Sequence, residues 1–125
     1  VETPAGGTRR PELALLTRSY AGDAPFFRPW FSSIEMYWPW KEWPVIMILD
    51  ESPEDRTSAE KFPTWVKVFF EPLPDSSKHW QDTWHFTRKT KRAGYMRINW
   101  SQWHFDRYTD AKFLALTDVD ALFHV

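Results

Sequence analysis

Four short, nearly continuous apolar runs, separated by segments with helical character, constrain the fold of this chain more than any other feature. Short continuous apolar runs are typical of strands buried on both faces, whereas half-exposed strands alternate polar and apolar residues. Such strands alternating with helices predict an α/β fold with three layers and a mostly parallel sheet. The predicted strands cover residues 12–17 (ELALLT), 45–49 (VIMIL), 65–70 (WVKVFF) and 113–116 (FLAL).

The segments between these runs predict helices. Aromatic and aliphatic residues recur at three- and four-residue steps from 26 to 38, which is the helical period. Asp23 is placed to cap this helix, but Pro29 suggests that its regular part begins near Arg28. A short second helix should begin after Ser52 as its cap, with a proline at its first position. Two more helices are predicted over 75–93 and 95–108.

Composition and length exclude several classes of protein. The chain has 125 residues, enough for one domain, and its net charge of -1 disfavours a nucleic-acid binder that depends on a basic surface. The absence of cysteine excludes disulfides, thiolate metal sites and a cysteine nucleophile. No apolar run approaches the roughly 20 residues of a membrane-spanning helix. We expect a flexible lead-in over residues 1–11 and one domain over 12–125.

The predicted sheet places three polar segments at one edge. In parallel α/β sheets, ligands bind beyond the carboxyl ends of the strands, at the point where the strand order reverses. With the common order 3-2-1-4, that point lies between the first and fourth strands. The segments 17–19 and 118–120 then become neighbours, and Asp50 ends the strand on the other side of the first. We therefore expect a ligand crevice at this edge.

Asp118 and Asp120 follow the fourth apolar run directly and are the sharpest chemical signal in the sequence. Two carboxylates that point into one crevice repel each other, and a divalent cation removes that repulsion. Mg²⁺ and Mn²⁺ prefer oxygen ligands and often combine one or two carboxylates with phosphate oxygens. The pair therefore predicts a Mn²⁺ or Mg²⁺ site, and the alternatives are two solvated turn residues or a helix cap.

The sequence around this pair resembles the Asp-x-Asp segment of GT-A-fold glycosyltransferases, which use nucleotide-sugar donors. The stretch 115–123 (ALTDVDALF) looks like that segment, and 15–20 (LLTRSY) looks like the first strand with its nucleotide-contacting loop. Residues 33–40, followed by 45–51, look like the first helix and second strand of that fold. The glycine-aromatic-x-Arg stretch and the Trp ahead of the motif correspond here to Gly94, Tyr95, Arg97 and Trp100.

The resemblance implies transfer of a sugar from a nucleoside diphosphate sugar, with UDP as the expected nucleotide, and a Rossmann-like donor-binding half. Asp118 and Asp120 would hold the metal that bridges the donor diphosphate. Sugar, acceptor and catalytic base are left unassigned. The remaining implied donor contacts are Thr17, Arg18 and Ser19 at the nucleotide, Asp50 at the ribose or base, and Arg97 over the phosphates or donor sugar.

The sequence departs from the pattern of this family in one respect. Complete enzymes of this fold have a second half after the Asp-x-Asp motif, which supplies the acceptor site, whereas this sequence ends five residues after Asp120. We therefore expect an incomplete GT-A domain that binds a nucleotide but needs a further segment or a second chain to transfer sugar.

Three other interpretations remain open. The string at 116–123 also resembles the first motif of haloacid-dehalogenase-type phosphatases, and a similar string begins the palm of translesion polymerases. In both families this motif lies near the start of the fold, whereas here it comes last. A non-catalytic carbohydrate- or nucleotide-binding domain is the third interpretation, because aromatic residues make up 18% of the chain and can serve as stacking platforms for sugars.

Overall fold

The four predicted strands form a single parallel sheet in the order β3-β2-β1-β4. A computed structural model describes residues 10–74 and 97–124 of the chain. The predicted α/β class, parallel pairing and strand order are confirmed. The strands are β1 (Leu13–Arg18), β2 (Val45–Asp50), β3 (Val66–Glu71) and β4 (Phe113–Leu116).

The register brings the polar ends of the strands to one edge of the sheet. Arg18 pairs with Ile48, and Asp50, two residues further along β2, pairs with Glu71 on β3. On the other side of β1, Leu16 pairs with Leu116, so the segment that follows β4 lies beside the end of β1. Polar residues at or just after the ends of all four strands therefore lie together at the carboxyl edge.

Helix α1 (Ala24–Tyr37) follows a 3₁₀ turn at Ala21–Asp23 and begins earlier than predicted. The expected start near Arg28 is wrong, because Pro29 lies inside the helix. A proline at this position removes one backbone hydrogen bond, to the carbonyl of residue 25. The helix continues through it because its inner face buries large side chains against the sheet, namely Phe27, Trp30, Phe31 and Ile34.

Helix α2 (Pro53–Ala59) begins as predicted. The Ser52 hydroxyl accepts a hydrogen bond from the Asp55 backbone N–H at 3.1 Å, which satisfies one of the free donors of the first turn. Of the predicted helix at 95–108, residues 97–103 are helical and a 3₁₀ turn follows at Phe105–Arg107. The predicted helix at 75–93 lies outside the described residues.

Two separate apolar clusters cover the faces of the sheet, as expected for three layers. Alternate strand residues, such as Leu15 and Met47, pack with α1 in the first cluster. The intervening residues, such as Leu16 and Ile48, pack with Phe105 in the second. Strand side chains alternate between faces, so the second cluster marks the face opposite α1.

The fourth strand is less buried than its sequence predicts. Phe113 and Leu116 are 63% and 53% exposed, so the prediction of a strand buried on both faces is wrong for β4. The physical reason is its position at the end of the strand order, where among the described residues it pairs with β1 alone.

The end of the predicted lead-in contacts the segment that precedes β4. The Pro11 carbonyl accepts a hydrogen bond from the Lys112 N–H at 3.0 Å, so the end of the predicted lead-in runs alongside the approach to β4. Its first nine residues lie outside the described part. Within the described ranges, no helix has the length and apolar character needed to cross a membrane.

Candidate functional site

Asp118 and Asp120 lie in the segment that leaves β4 at the carboxyl edge. The Thr117 N–H donates to the Leu16 carbonyl at 3.1 Å, which extends the β1–β4 pairing up to the motif. The Ala121 N–H then donates to the Asp118 carbonyl at 3.1 Å and closes a turn. Val119 is buried in the α1-side cluster, whereas both aspartates are exposed. The turn is therefore held in place by the buried side chain of Val119, while its two aspartates are exposed to solvent.

The chemistry of this pair fits a divalent cation that shares its ligands with a phosphate. Among the residues that the structure describes, no group of three or more His, Asp or Glu side chains is arranged to hold a metal. Two carboxylates are nevertheless sufficient where phosphate oxygens and water complete an octahedral Mg²⁺ or Mn²⁺ shell.

Arg18, predicted to contact a nucleotide, is turned into the protein. Its side chain is only 3% exposed and forms an ion pair with Asp50, and its Nε lies 3.5 Å from Oε1 of Glu71. The guanidinium also donates to the backbone carbonyls of Ser19 and Ile48. The positive charge of Arg18 is therefore compensated inside the fold and is not presented to solvent.

Glu71 is the buried centre of this cluster, and the sequence analysis did not identify it. Its Oε2 accepts hydrogen bonds from the Tyr108 hydroxyl at 2.7 Å and from Ser101 Oγ at 3.0 Å. The one signal available in the sequence is its position, because Glu71 ends β3 as Asp50 ends β2. The two acids pair in register and lie on the same face of the sheet.

Arg97 joins the same cluster from the helical segment 97–103. Its Nε lies 3.2 Å from Oδ1 of Asp50, and its terminal nitrogen donates to the Glu71 backbone carbonyl at 2.8 Å. Burial lowers the pKa of Arg97, while the nearby charges of Asp50 and Glu71 oppose that shift. The side chains of Arg97 and Asp50 are 18% and 27% exposed, so they form the solvent-facing side of the cluster.

Thr17 and Ser19 flank Arg18 but make different contacts. The Thr17 hydroxyl is buried without a hydrogen-bond partner among the described residues. Ser19 Oγ donates to Oδ2 of Asp23 at 2.7 Å. Asp23 occupies the N-cap position of α1, as predicted, but its side chain makes no capping hydrogen bond there. Its carboxylate is instead engaged by Ser19.

Asp55 fastens the loops that follow β1 and β2. This buried carboxylate accepts hydrogen bonds from the backbone N–H groups of Ala21 at 3.0 Å and Asp50 at 2.8 Å. Ser52 Oγ also donates to it, at 3.1 Å. Carboxylates that accept several hydrogen bonds are stable when buried, since each bond replaces one to water. Asp55 thus holds the backbone on which Asp50 and the start of α1 sit.

The charged residues of the predicted site therefore divide into two groups. Arg18, Asp50 and Arg97 are brought into one cluster with Glu71. Asp118 and Asp120 lie at the same edge on the far side of β1, and among described residues no ion pair links them to that cluster.

Comparison of the sequence with protein-family models finds no match, and comparison with curated proteins finds none either.

Proposed function

We propose that this chain is the donor-binding part of a metal-dependent, GT-A-type glycosyltransferase that uses a nucleoside diphosphate sugar, with UDP as the nucleotide. The observation that carries the proposal is the exposure of both Asp118 and Asp120 directly after β4. This position lies where the strand order reverses, between β1 and β4. Open α/β sheets bind their ligands at such a point.

The charge balance of the neighbouring cluster supports metal dependence. Arg18 and Arg97 are offset by Asp50 and Glu71, so the cluster has no excess positive charge to match a diphosphate. Phosphate groups carry strong negative charge and need cations or oriented N–H groups as partners. A bound divalent ion supplies Lewis-acid stabilisation of the charge that develops on the departing nucleoside diphosphate. Asp118 and Asp120 would hold and orient that ion.

The cluster of Arg18, Asp50, Glu71 and Arg97 would contribute to the site by keeping its backbone rigid. Arg18 and Asp50 join the ends of β1 and β2, and Asp55 fixes the loops that follow them. Sites held by packed, hydrogen-bonded side chains lose less freedom when a ligand binds. Arg97, which is partly exposed beside Asp50, is the cation in this cluster best placed to approach a donor phosphate or sugar.

Calorimetric titration of UDP into the full chain tests this proposal. We expect binding with Mn²⁺, no binding in EDTA, and loss of binding in Asp120→Ala. Glu60→Ala is the matched control, because it removes an exposed acid at the end of α2, away from the carboxyl edge. Binding that survives in EDTA, or that Asp120→Ala leaves intact, contradicts the metal assignment. Absence of binding to both UDP and GDP contradicts the donor-site proposal as a whole.

One observation favours a second candidate, a non-catalytic carbohydrate-binding domain. Trp103 is 85% exposed at the end of the helical segment 97–103, and an exposed indole can stack on a sugar ring. This candidate predicts that glycans bind without metal and that Trp103→Ala abolishes binding. The donor-site proposal predicts that Trp103→Ala leaves UDP affinity unchanged, so the two candidates are separated by one variant.

A further inference from the structure

A cleft of about 550 Å³ lies between α1 and α2, on the sheet face opposite the Arg18 cluster. Its volume falls within the range of ligand pockets, about 300–1,000 Å³. The apolar part of its wall includes Phe27, Phe31 and Phe62. The cleft involves none of the residues assigned to the donor site.

The aromatic wall is held in a defined arrangement. The Phe62 ring meets Phe27 edge-on at a centroid distance of 5.1 Å and Phe31 at 4.9 Å. Phe31 in turn meets Trp65 edge-on at 5.9 Å. Edge-to-face contacts of this kind fix ring orientation. The apolar wall is therefore preformed, which lowers the entropic penalty for a ligand that lies against it.

The polar part of the wall is unequally charged. Arg28 on α1 and Lys61 after α2 line the cleft, both are exposed, and neither forms an ion pair with another described residue. Glu35 is the acidic residue in the wall, and one of its carboxylate oxygens already accepts a hydrogen bond from Trp65 Nε1 at 3.2 Å. Two available cations thus border an aromatic surface.

We propose that this cleft binds a small organic anion with an apolar body, namely a carboxylate that carries a medium-length hydrocarbon chain. The chain would lie against the half-buried Phe62 ring and the small exposed parts of Phe27 and Phe31, where burial of the remaining apolar surface is favourable. The carboxylate would pair with Arg28 and Lys61, which lie on two different elements at the cleft. A neutral or cationic molecule of the same shape would lack these partners.

Titration of sodium octanoate into the ¹⁵N-labelled full chain tests this site. We expect shifts of amide resonances in α1 and in residues 57–63, and weaker or absent shifts with octylamine. The double variant Arg28→Gln/Lys61→Gln should weaken octanoate binding about tenfold, since it removes two exposed ion pairs. Both residues are exposed, so the variant should remain folded, as circular dichroism can verify.

Lys67→Gln is the matched control, because Lys67 is an exposed cation on β3, outside the cleft. We expect it to leave octanoate affinity unchanged. The proposal is overturned if octanoate shifts no resonances in α1 and residues 57–63. It is also overturned if octylamine binds as well as octanoate, or if the double variant binds octanoate like the unaltered chain.

Discussion

The guanidinium of Arg18 at the end of β1 is ion-paired with the carboxylate of Asp50 at the end of β2. Glu71 of β3 and Arg97 of the helical segment 97–103 lie in the same cluster, on the same face of the sheet. Arg18 and Glu71 are buried, Asp50 and Arg97 are partly buried, and each charge lies next to a charge of opposite sign. The free energy of unfolding therefore depends on these residues jointly, since removal of one leaves another buried without its partner.

Arg18→Met should destabilise the protein by about 3–5 kcal/mol, because it leaves Asp50 and Glu71 with less compensation in a buried site. Arg18→Lys should destabilise it less, since it keeps the charge but not the forked geometry. Arg56→Met is the matched control, because Arg56 forms an exposed ion pair with Glu51. Urea unfolding of the three variants gives the comparison, and equal effects of Arg18→Met and Arg56→Met would contradict the role of the buried cluster.

The free energy of unfolding should decrease at alkaline pH because Tyr108 ionises. Burial raises the pKa of the Tyr108 phenol, and the hydrogen bond to Glu71 raises it further. The folded state therefore favours the protonated phenol, so its contribution is complete below the unfolded pKa of about 10 and declines as pH rises above that value. Tyr108→Phe should lower stability near neutral pH and flatten this alkaline decline.

Chemical unfolding at a series of pH values from neutral to alkaline measures this effect. Tyr37→Phe is the control, because Tyr37 is an exposed phenol at the end of α1. It should leave the alkaline decline as it is in the unaltered chain. A decline of the same steepness in Tyr108→Phe would show that a different group titrates.

Pro29→Ala should stabilise the protein by about 1–3 kcal/mol. Proline inside a helix is about 3 kcal/mol less favourable than alanine, and part of this gain is lost because alanine frees the unfolded chain. Pro29 is exposed, so the change leaves the packed face of α1 intact. Pro25→Ala is the matched control in the first turn, where proline is tolerated, and should have little effect. Thermal unfolding compares the two, and a destabilised Pro29→Ala would contradict this account of α1.

The strand pattern was sufficient to predict the architecture. Continuous apolar runs such as 45–49 specify strands buried in a parallel sheet, and Ser52 followed by proline specifies the start of α2. Local rules failed where packing across the sheet decided the outcome. Pro29 is tolerated because α1 buries its aromatic face, and β4 is exposed because, in the part of the chain that the structure describes, it pairs on one side only.

The candidate site was only partly predictable for a related reason. The strand order places Asp50 beside the end of β1, so its proximity to Arg18 followed from the topology. The direction of the Arg18 side chain did not, because it depends on Glu71, which ends another strand and is bound by Tyr108 from a distant part of the chain. Contacts between residues so far apart in sequence leave no local pattern.

The proposed donor site requires Asp118 and Asp120 to hold a divalent ion together with a nucleoside diphosphate. Paramagnetic broadening of amide resonances by Mn²⁺ in the presence of UDP tests it most directly, with diamagnetic Mg²⁺ as the reference. We expect selective broadening at residues 117–121 and at the end of β1, and its loss in Asp120→Ala. Broadening elsewhere in the chain, or none at the carboxyl edge of β1 and β4, would contradict it.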